Sequence, residues 1–153
     1  MKTSKLTLVL ASILLLTIFA CSNAYKLQKD ASFVMTKAYF QEWTSAINIG
    51  SSGINFYIAN LTPNRNVVID SVYFRKMKGR LVPSKGKYVS RLVKRKPISE
   101  GHELTTNGDF PFKISNRECI VSYREDGETK YFKITNLIEN EGVYYENGPT
   151  DEL

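Results

Sequence analysis

The sequence has very few of the residues that build metal centres and catalytic triads. Its 153 residues include one histidine, His102, and two cysteines, Cys21 and Cys119. The usual structural zinc sites need four Cys or His ligands and are therefore excluded. A Ser–His–Asp triad through His102 is arithmetically possible, but no G-x-S-x-G pattern supports it, and a solvated loop histidine is the better interpretation. The sequence predicts a non-enzymatic protein without metal or cofactor.

Long apolar runs are also missing, with one exception at the N-terminus. Residues 6–20 carry no charge and follow a head that contains Lys2 and Lys5. This run is shorter than the roughly 20 apolar residues of a membrane-spanning helix, and its charged head is typical of a secretory signal. We therefore predict a signal peptide over residues 1–20; the alternative is a short N-terminal anchor that stays attached.

The signal ends in the sequence IFAC, residues 18–21. This stretch resembles the lipobox of bacterial lipoproteins, in which the cysteine thiol receives a diacylglycerol and the chain is cut before it. The resemblance implies lipidation of Cys21 and attachment to the membrane through that lipid. The alternative site is SNA, residues 22–24, where cleavage after Ala24 would release a soluble secreted protein. If Cys21 is acylated, Cys119 has no disulfide partner; otherwise a Cys21–Cys119 bridge remains possible.

Charge is unevenly distributed along the 133 residues that follow the signal. Arg65–Lys96 contains eleven basic residues and one acid, whereas residues 97–153 contain twelve acids and five basic residues. Basic stretches are typical of nucleic-acid or anionic-membrane surfaces. A secreted chain rarely meets nucleic acid, so none is expected. A basic face toward anionic headgroups and mutual screening of neighbouring strands both stay open.

Short β-branched and aromatic runs predict strands after residue 31. The clearest stretch is CIVSYREDGETKYFKI, in which Asp126-Gly127 is a two-residue hairpin turn. Its alternation directs Cys119 toward the core, where burial makes a thiol inert. FPFKI is expected to form an edge strand because Pro111 lacks a ladder donor. The other predicted strands are SFVMTKAYFQEW, INFYIANL, NVVIDSVYFRK, KYVSRLV and GVYY.

The spacing of seven or eight such strands favours an all-β fold, an antiparallel β-sandwich of immunoglobulin-like type. Residues 21–31 show no hydrophobic period and are expected to be a lipidated N-terminus and flexible tether. The single sandwich domain is predicted over 32–147, followed by an acidic tail over 148–153.

Three stretches carry a wider resemblance: KAYFQEWTSAINIGSSGINFYI, VSYREDGETKYFKI and NLIENEGVYYENGP. Together with the lipobox they resemble small predicted lipoproteins of flavobacteria and related Bacteroidetes. The resemblance implies a cell-envelope location and a β-rich fold, but no activity. Surface-exposed lipoproteins of those bacteria carry acids soon after the cysteine; their absence here favours the outer membrane, facing the periplasm. Asp70-Ser71-Val72 resembles the O-glycosylation motif of that phylum.

Tyrosine is abundant, with nine residues. Exposed tyrosines can form a platform for a sugar or a peptide, and cross-strand packing is the alternative role. The sequence thus favours a lipid-anchored binding module for a protein or glycan partner. A small inhibitor or immunity-type lipoprotein that blocks a hydrolytic enzyme is the second hypothesis, with Arg65–Lys96 facing an acidic target. The candidate platform tyrosines are Tyr39, Tyr57, Tyr131, Tyr144 and Tyr145.

Overall fold

The computed structural model describes residues 25–46, 52–94 and 110–146, and this part of the chain is all β. None of its segments is a helix of the length and apolarity needed to cross a membrane. The strands of these ranges are β1 (Leu27–Gln28), β2 (Phe33–Val34), β3 (Lys37–Ser45), β4 (Ser52–Ala59), β5 (Thr62–Pro63), β6 (Val67–Phe74), β7 (Met77–Arg80), β8 (Val82–Ser84), β9 (Lys87–Lys94), β10 (Cys119–Glu125), β11 (Glu128–Ile134) and β12 (Ile138–Tyr145).

Two five-stranded sheets pack face to face as a β-sandwich. The first sheet has the strand order β1-β11-β10-β6-β7 and the second sheet the order β12-β3-β4-β9-β8, while β2 and β5 form a separate pair. Between the sheets, the Phe74 ring lies 4.8 Å from that of Phe40 and 5.5 Å from that of Phe56. The predicted sandwich is confirmed, and its immunoglobulin-like topology stays a prediction.

Strict alternation decides which side chains face outward. In β4, Ile54, Phe56 and Ile58 are fully buried in the core, and the residues between them point to the outer face of the second sheet. The same period in β10 buries Cys119, Val121 and Tyr123 between the sheets, as the sequence predicts.

The β10–β11 hairpin is confirmed in its register. Glu125 pairs with Glu128 and Tyr123 with Lys130. Both turn residues have positive φ, 52° at Asp126 and 85° at Gly127, as a type I′ turn requires.

The chain crosses from one sheet to the other at Leu81, the single residue between β7 and β8. Leu81 is buried, and its N–H donates to the Asp70 carbonyl at 2.8 Å. At Gly79 a Cβ would lie 2.4 Å from Ser90 Oγ and 2.5 Å from Leu92 Cδ2, so a larger residue would force these side chains of β9 to move. The two sheets are therefore in close contact at the edge where β7 meets β8 and β9.

Three expectations need correction. Residues 110–115 form no strand; instead Phe110 and Phe112 lie over the outer face of the first sheet, where they pack against Tyr73. The tether is shorter than predicted, because β1 pairs with β11 at Tyr131. The sandwich is not purely antiparallel: β1–β11 and β12–β3 are parallel pairs.

Four predicted features lie outside the described residues. They are the signal peptide, the lipidated Cys21, the loop that carries His102 and the acidic tail over 148–153. The predicted strand stretches INFYIANL, NVVIDSVYFRK, KYVSRLV and GVYY overlap β4, β6, β9 and the end of β12, respectively, and SFVMTKAYFQEW covers β2 and most of β3.

Candidate binding face

The outer side of the second sheet gathers polar and aromatic side chains from four strands. Lys37 and Tyr39 come from β3, Asn55 and Tyr57 from β4, Lys87 from β9 and Tyr145 from β12. Strand register places Tyr39 directly opposite Tyr57, and both point away from the core because their neighbours Phe40 and Phe56 point into it. We call these six residues the tyrosine face.

Tyr39 and Tyr57 stack on each other across β3 and β4. Their ring centroids are 4.9 Å apart and the ring planes differ by 18°. The Lys37 ammonium lies 5.7 Å from the Tyr39 centroid, and that of Lys87 lies 4.5 Å from the Tyr57 centroid. These contacts are cation–π interactions, which hold the two ammonium groups over the sheet. Because the two rings also cover each other, little ring surface is left for a ligand to stack on. The groups that a ligand can contact on this face are mainly hydroxyl and ammonium groups.

Asn55 is an amide at the base of this face, and it is fully buried. Its Nδ2 donates to the Tyr145 hydroxyl at 3.3 Å, and the Trp43 ring lies edge-on to Tyr145 with centroids 6.3 Å apart. Asn55 Oδ1 has no hydrogen-bond partner among the described residues. A buried carbonyl oxygen without a partner is costly for folding.

The pKa of Tyr57 is raised above its ordinary value. Burial is the main cause, and the neighbouring Tyr145 and Tyr39 phenols raise it further; Arg91 and the hydrogen bond with Asn55 act in the opposite direction. At neutral pH the Tyr57 hydroxyl therefore keeps its proton and remains a hydrogen-bond donor.

This arrangement is suited to an anionic group. The outward positions of β3, β4 and β9 carry no acidic residue, whereas Lys37 and Lys87 bring two positive charges. Arg91 of β9 lies opposite Asn55 and adds a third charge near Tyr57. Hydroxyl and ammonium donors bind a carboxylate, sulfate or phosphate through charge-assisted hydrogen bonds. The described residues hold no group of three or more His, Cys, Asp or Glu that could bind a metal.

The structure brings three of the five predicted tyrosines together. Tyr39, Tyr57 and Tyr145 share the tyrosine face. Tyr131 lies on the other sheet, where it is only 8% exposed and contacts Tyr73. Tyr144 is exposed and is not part of the tyrosine face. Sequence reasoning missed the lysines of this face. The sequence does carry a sign of this arrangement: Lys37 and Tyr39 are two residues apart, so a strand places both side chains on the same side.

Cys119 is not a nucleophile in the folded protein. The thiol is completely buried, and burial raises its pKa far above the ordinary value; a backbone hydrogen bond with Ile134 offsets only part of this. The prediction that Cys119 faces the core is confirmed, and such burial makes a thiol unreactive.

Ser71 of the possible glycosylation motif lies in the middle of β6. It is 5% exposed, and its hydroxyl donates to Asp70 Oδ2 at 3.1 Å. The folded domain therefore shields the hydroxyl from a glycosyltransferase, and sugar attachment at this residue requires modification before folding.

No protein-family model matches the chain, and no curated protein or solved structure shows significant similarity to it. The inference of function therefore depends on the sequence and on the geometry described above.

Proposed function

We propose that this chain is a non-enzymatic, lipid-anchored protein of the bacterial cell envelope that binds an acidic glycan or an acidic protein surface through its tyrosine face. One observation carries the binding role. The stacked pair Tyr39–Tyr57 holds the ammonium groups of Lys37 and Lys87 over one sheet face. Cross-strand packing alone does not require two cations at such positions.

The anchor in this proposal is Cys21. It is supported by the lipobox-like sequence at residues 18–21 and by the charged and apolar segments before it. The proposed location is the outer membrane on its periplasmic side. Release after Ala24 as a soluble secreted protein is the competing outcome.

The anchor is tested by the intact mass of the protein isolated from its own membranes, beside a Cys21→Ser variant. We expect a mass equal to residues 21–153 plus acyl chains, lost in the variant. An unmodified chain that starts at Tyr25 would contradict the anchor but not the binding role.

The binding role is tested with the mature protein carrying Cys21→Ser. The probes are a polyuronate oligosaccharide and a poly-glutamate peptide, each compared with neutral dextran, and binding is followed by Trp43 fluorescence and by NMR shifts. We expect the acidic probes alone to bind. Replacing both Lys37 and Lys87 by Gln is expected to weaken binding about tenfold or more, since hydrogen bonds to charged groups are the strong ones.

The matched control is Lys85→Gln, which removes a charge from the exposed β8–β9 turn but changes none of the six residues of the tyrosine face. It is expected to leave binding unchanged. If Lys85→Gln weakens binding as much as the double variant, the interaction depends on net charge alone and the tyrosine face is not the site. Binding of poly-glutamate but not of the polyuronate favours the inhibitor-type hypothesis, with an acidic protein as target.

A further inference from the structure

The described chain enters the domain on the outer face of the first sheet. The Tyr25 ring lies 5.5 Å from that of Phe112 and 5.4 Å from that of Tyr131, and β1 follows immediately. Phe112 and Tyr131 belong to a second small apolar cluster on this outer side, separate from the core between the sheets. These contacts fix the N-terminal end of the domain to one face of the sandwich.

The distance from this point to the proposed anchor is short. Cys21 precedes Tyr25 by four residues. Four residues span at most about 14 Å even when the chain is fully extended. A lipid on Cys21 therefore holds Tyr25, and the sheet face on which Tyr25 packs, close to the headgroups of the bilayer.

We infer that the outer face of the first sheet is a membrane-binding surface that contacts anionic lipid headgroups. This inference rests on the lipid anchor of the proposed function. It adds an orientation: the first sheet faces the bilayer, and the tyrosine face points away from it toward a partner.

The charges of this face agree with that orientation. Lys78 and Arg80 from β7, Arg124 from β10 and Lys113 from the covering segment are all exposed. Anionic bilayers attract such residues, with a contribution of about fivefold in binding for each Lys or Arg near the surface.

The acids of the same face are already engaged. Asp70 accepts hydrogen bonds from the Ser71 and Ser122 hydroxyls, both at 3.1 Å. Glu118 accepts one from the Ser115 backbone at 2.8 Å and one from Lys133 at 3.4 Å. The exposed Lys78, Arg80, Lys113 and Arg124 also outnumber these two carboxylates at the outer surface.

The shape of the outer face of the first sheet and its exposed apolar side chains also support a membrane-binding surface. A depression of about 550 Å³ lies beside the Tyr25 contacts and is lined by Lys76, Phe112 and Lys113, among others. Tyr25 is 47% exposed, and Leu27 and Val68 on the same face are also exposed. Aromatic and basic side chains together are typical of surfaces that lie at the headgroup level.

The test uses the mature wild-type protein, residues 21–153, joined through the Cys21 thiol to vesicles that contain a maleimide lipid. Cys119 does not compete, because it is buried and its pKa is raised. One set of vesicles contains phosphatidylglycerol and the other only phosphatidylcholine. Lysines are then labelled with an amine-reactive ester, and the extent at each is read by mass spectrometry.

On phosphatidylglycerol vesicles we expect the labelling of Lys78 and Lys113 to fall severalfold relative to phosphatidylcholine, with Lys37 and Lys87 unchanged. About 1 M salt is expected to remove the protection, because it shortens the Debye length to about 3 Å. A triple variant with Arg80, Lys113 and Arg124 changed to Gln is expected to lose the protection of Lys78.

Equal protection of both faces, or protection of Lys37 and Lys87 alone, would overturn the inference. The chemical tether replaces the biological lipid, so neither result depends on whether Cys21 is acylated in the cell. The intact mass of the protein from its own membranes shows separately whether Cys21 is acylated. Failure of the lipid anchor and failure of the proposed orientation can therefore be distinguished.

Discussion

At the scale of single residues, Gly53 sets the position of the only tryptophan. A Cβ at this residue would lie 2.3 Å from the Leu92 carbonyl oxygen and 2.6 Å from the Trp43 ring. Trp43 in turn contacts Tyr145 of the tyrosine face. The absence of a Cβ at Gly53 thus leaves room for the indole, which in turn supports a residue of the candidate site.

Gly53→Ala is therefore expected to destabilise the domain. The added methyl group collides with backbone as well as with the indole, and overpacking of this kind costs about 1–3 kcal/mol. Urea unfolding followed by Trp43 fluorescence measures the change. Gly142→Ala in β12 is the matched control: its nearest atom, the Glu42 carbonyl oxygen, is 3.4 Å away, and we expect a change within about 0.5 kcal/mol. Equal losses in both variants would contradict the close-contact argument.

Single residues differ in how far the sequence predicts them. The inward direction of Cys119 follows from the alternation of side chains in β10 and from the Asp126-Gly127 turn. The structure has both the alternation and the turn. The conformation of Arg75 could not be predicted in this way. It adopts φ of 46° in the β6–β7 turn, and the sequence there contains no Gly or Asn that would indicate a hairpin. Its guanidinium pairs with Glu42 and lies 4.5 Å from the Phe40 ring, and such tertiary contacts offset an unfavourable backbone.

At the scale of elements, tight hairpins connect neighbouring strands within each of the two sheets. The turns at 75–76, 85–86 and 126–127 all have positive φ at both central residues. This geometry matches the twist of the flanking strands, and Asn, Asp and Gly adopt it at least cost. Lys85, with φ of 45°, is the one residue of the β8–β9 turn that does not fit this preference.

Lys85→Asn is accordingly expected to stabilise the domain by a few tenths of a kcal/mol, up to about 1, because Asn tolerates the left-handed conformation. Gly86→Ala, at φ of 78°, is expected to cost about 1 kcal/mol although its Cβ would meet nothing within 4 Å. Chemical denaturation of the two variants provides the measurement. A stabilising Gly86→Ala would show that backbone strain does not govern this turn.

Elements with strong local signals were predictable, and those that depend on distant partners were not. Long alternating strands such as β4 and β10 agree with their patterns. β1 has two residues and exists only because β11 lies beside it. The FPFKI segment has a strand-like composition, yet it covers the apolar residues Tyr73, Ile120 and Tyr131 as an irregular segment. Local propensity cannot distinguish these outcomes, since tertiary contacts decide them.

At the scale of the whole molecule, two carboxylates couple stability to acid. The pKa of Glu118 is lowered chiefly by the hydrogen bond from the Ser115 backbone, and that of Glu125 by hydrogen bonds from Lys130 and Ser32. Their ionised forms therefore favour the folded state. This contribution is complete above their ordinary pKa of roughly 4.3 and is lost as the pH falls through the lowered folded-state values.

The free energy of unfolding is expected to decrease from pH 6 to pH 3, and less steeply in a Glu118→Gln, Glu125→Gln double variant. Urea unfolding at a series of pH values measures both slopes. Glu128→Gln removes a carboxylate opposite Glu125 that accepts none of these hydrogen bonds, and serves as control. A double variant with the wild-type slope would show that other groups control the acid response.

The candidate site was only partly predictable at this scale. Sequence patterns identified exposed tyrosines, but not that Tyr39, Tyr57 and Tyr145 meet on one face while Tyr131 does not. That grouping depends on strand order, which joins β12 to β3 and β3 to β4. Strand order does not follow from the number of strands, because many pairings satisfy the same alternation.

The β12–β3 pair also bears on how the protein is made. Gln41 of β3 donates to the Glu141 carbonyl of β12 at 2.9 Å, across a sequence separation of 100 residues. Contacts this distant along the chain slow folding, because the loop must close before the pair forms. During synthesis, β3 lacks its outer neighbour until β12 has been made. The tyrosine face, which needs Tyr145 from β12, is therefore assembled late in folding.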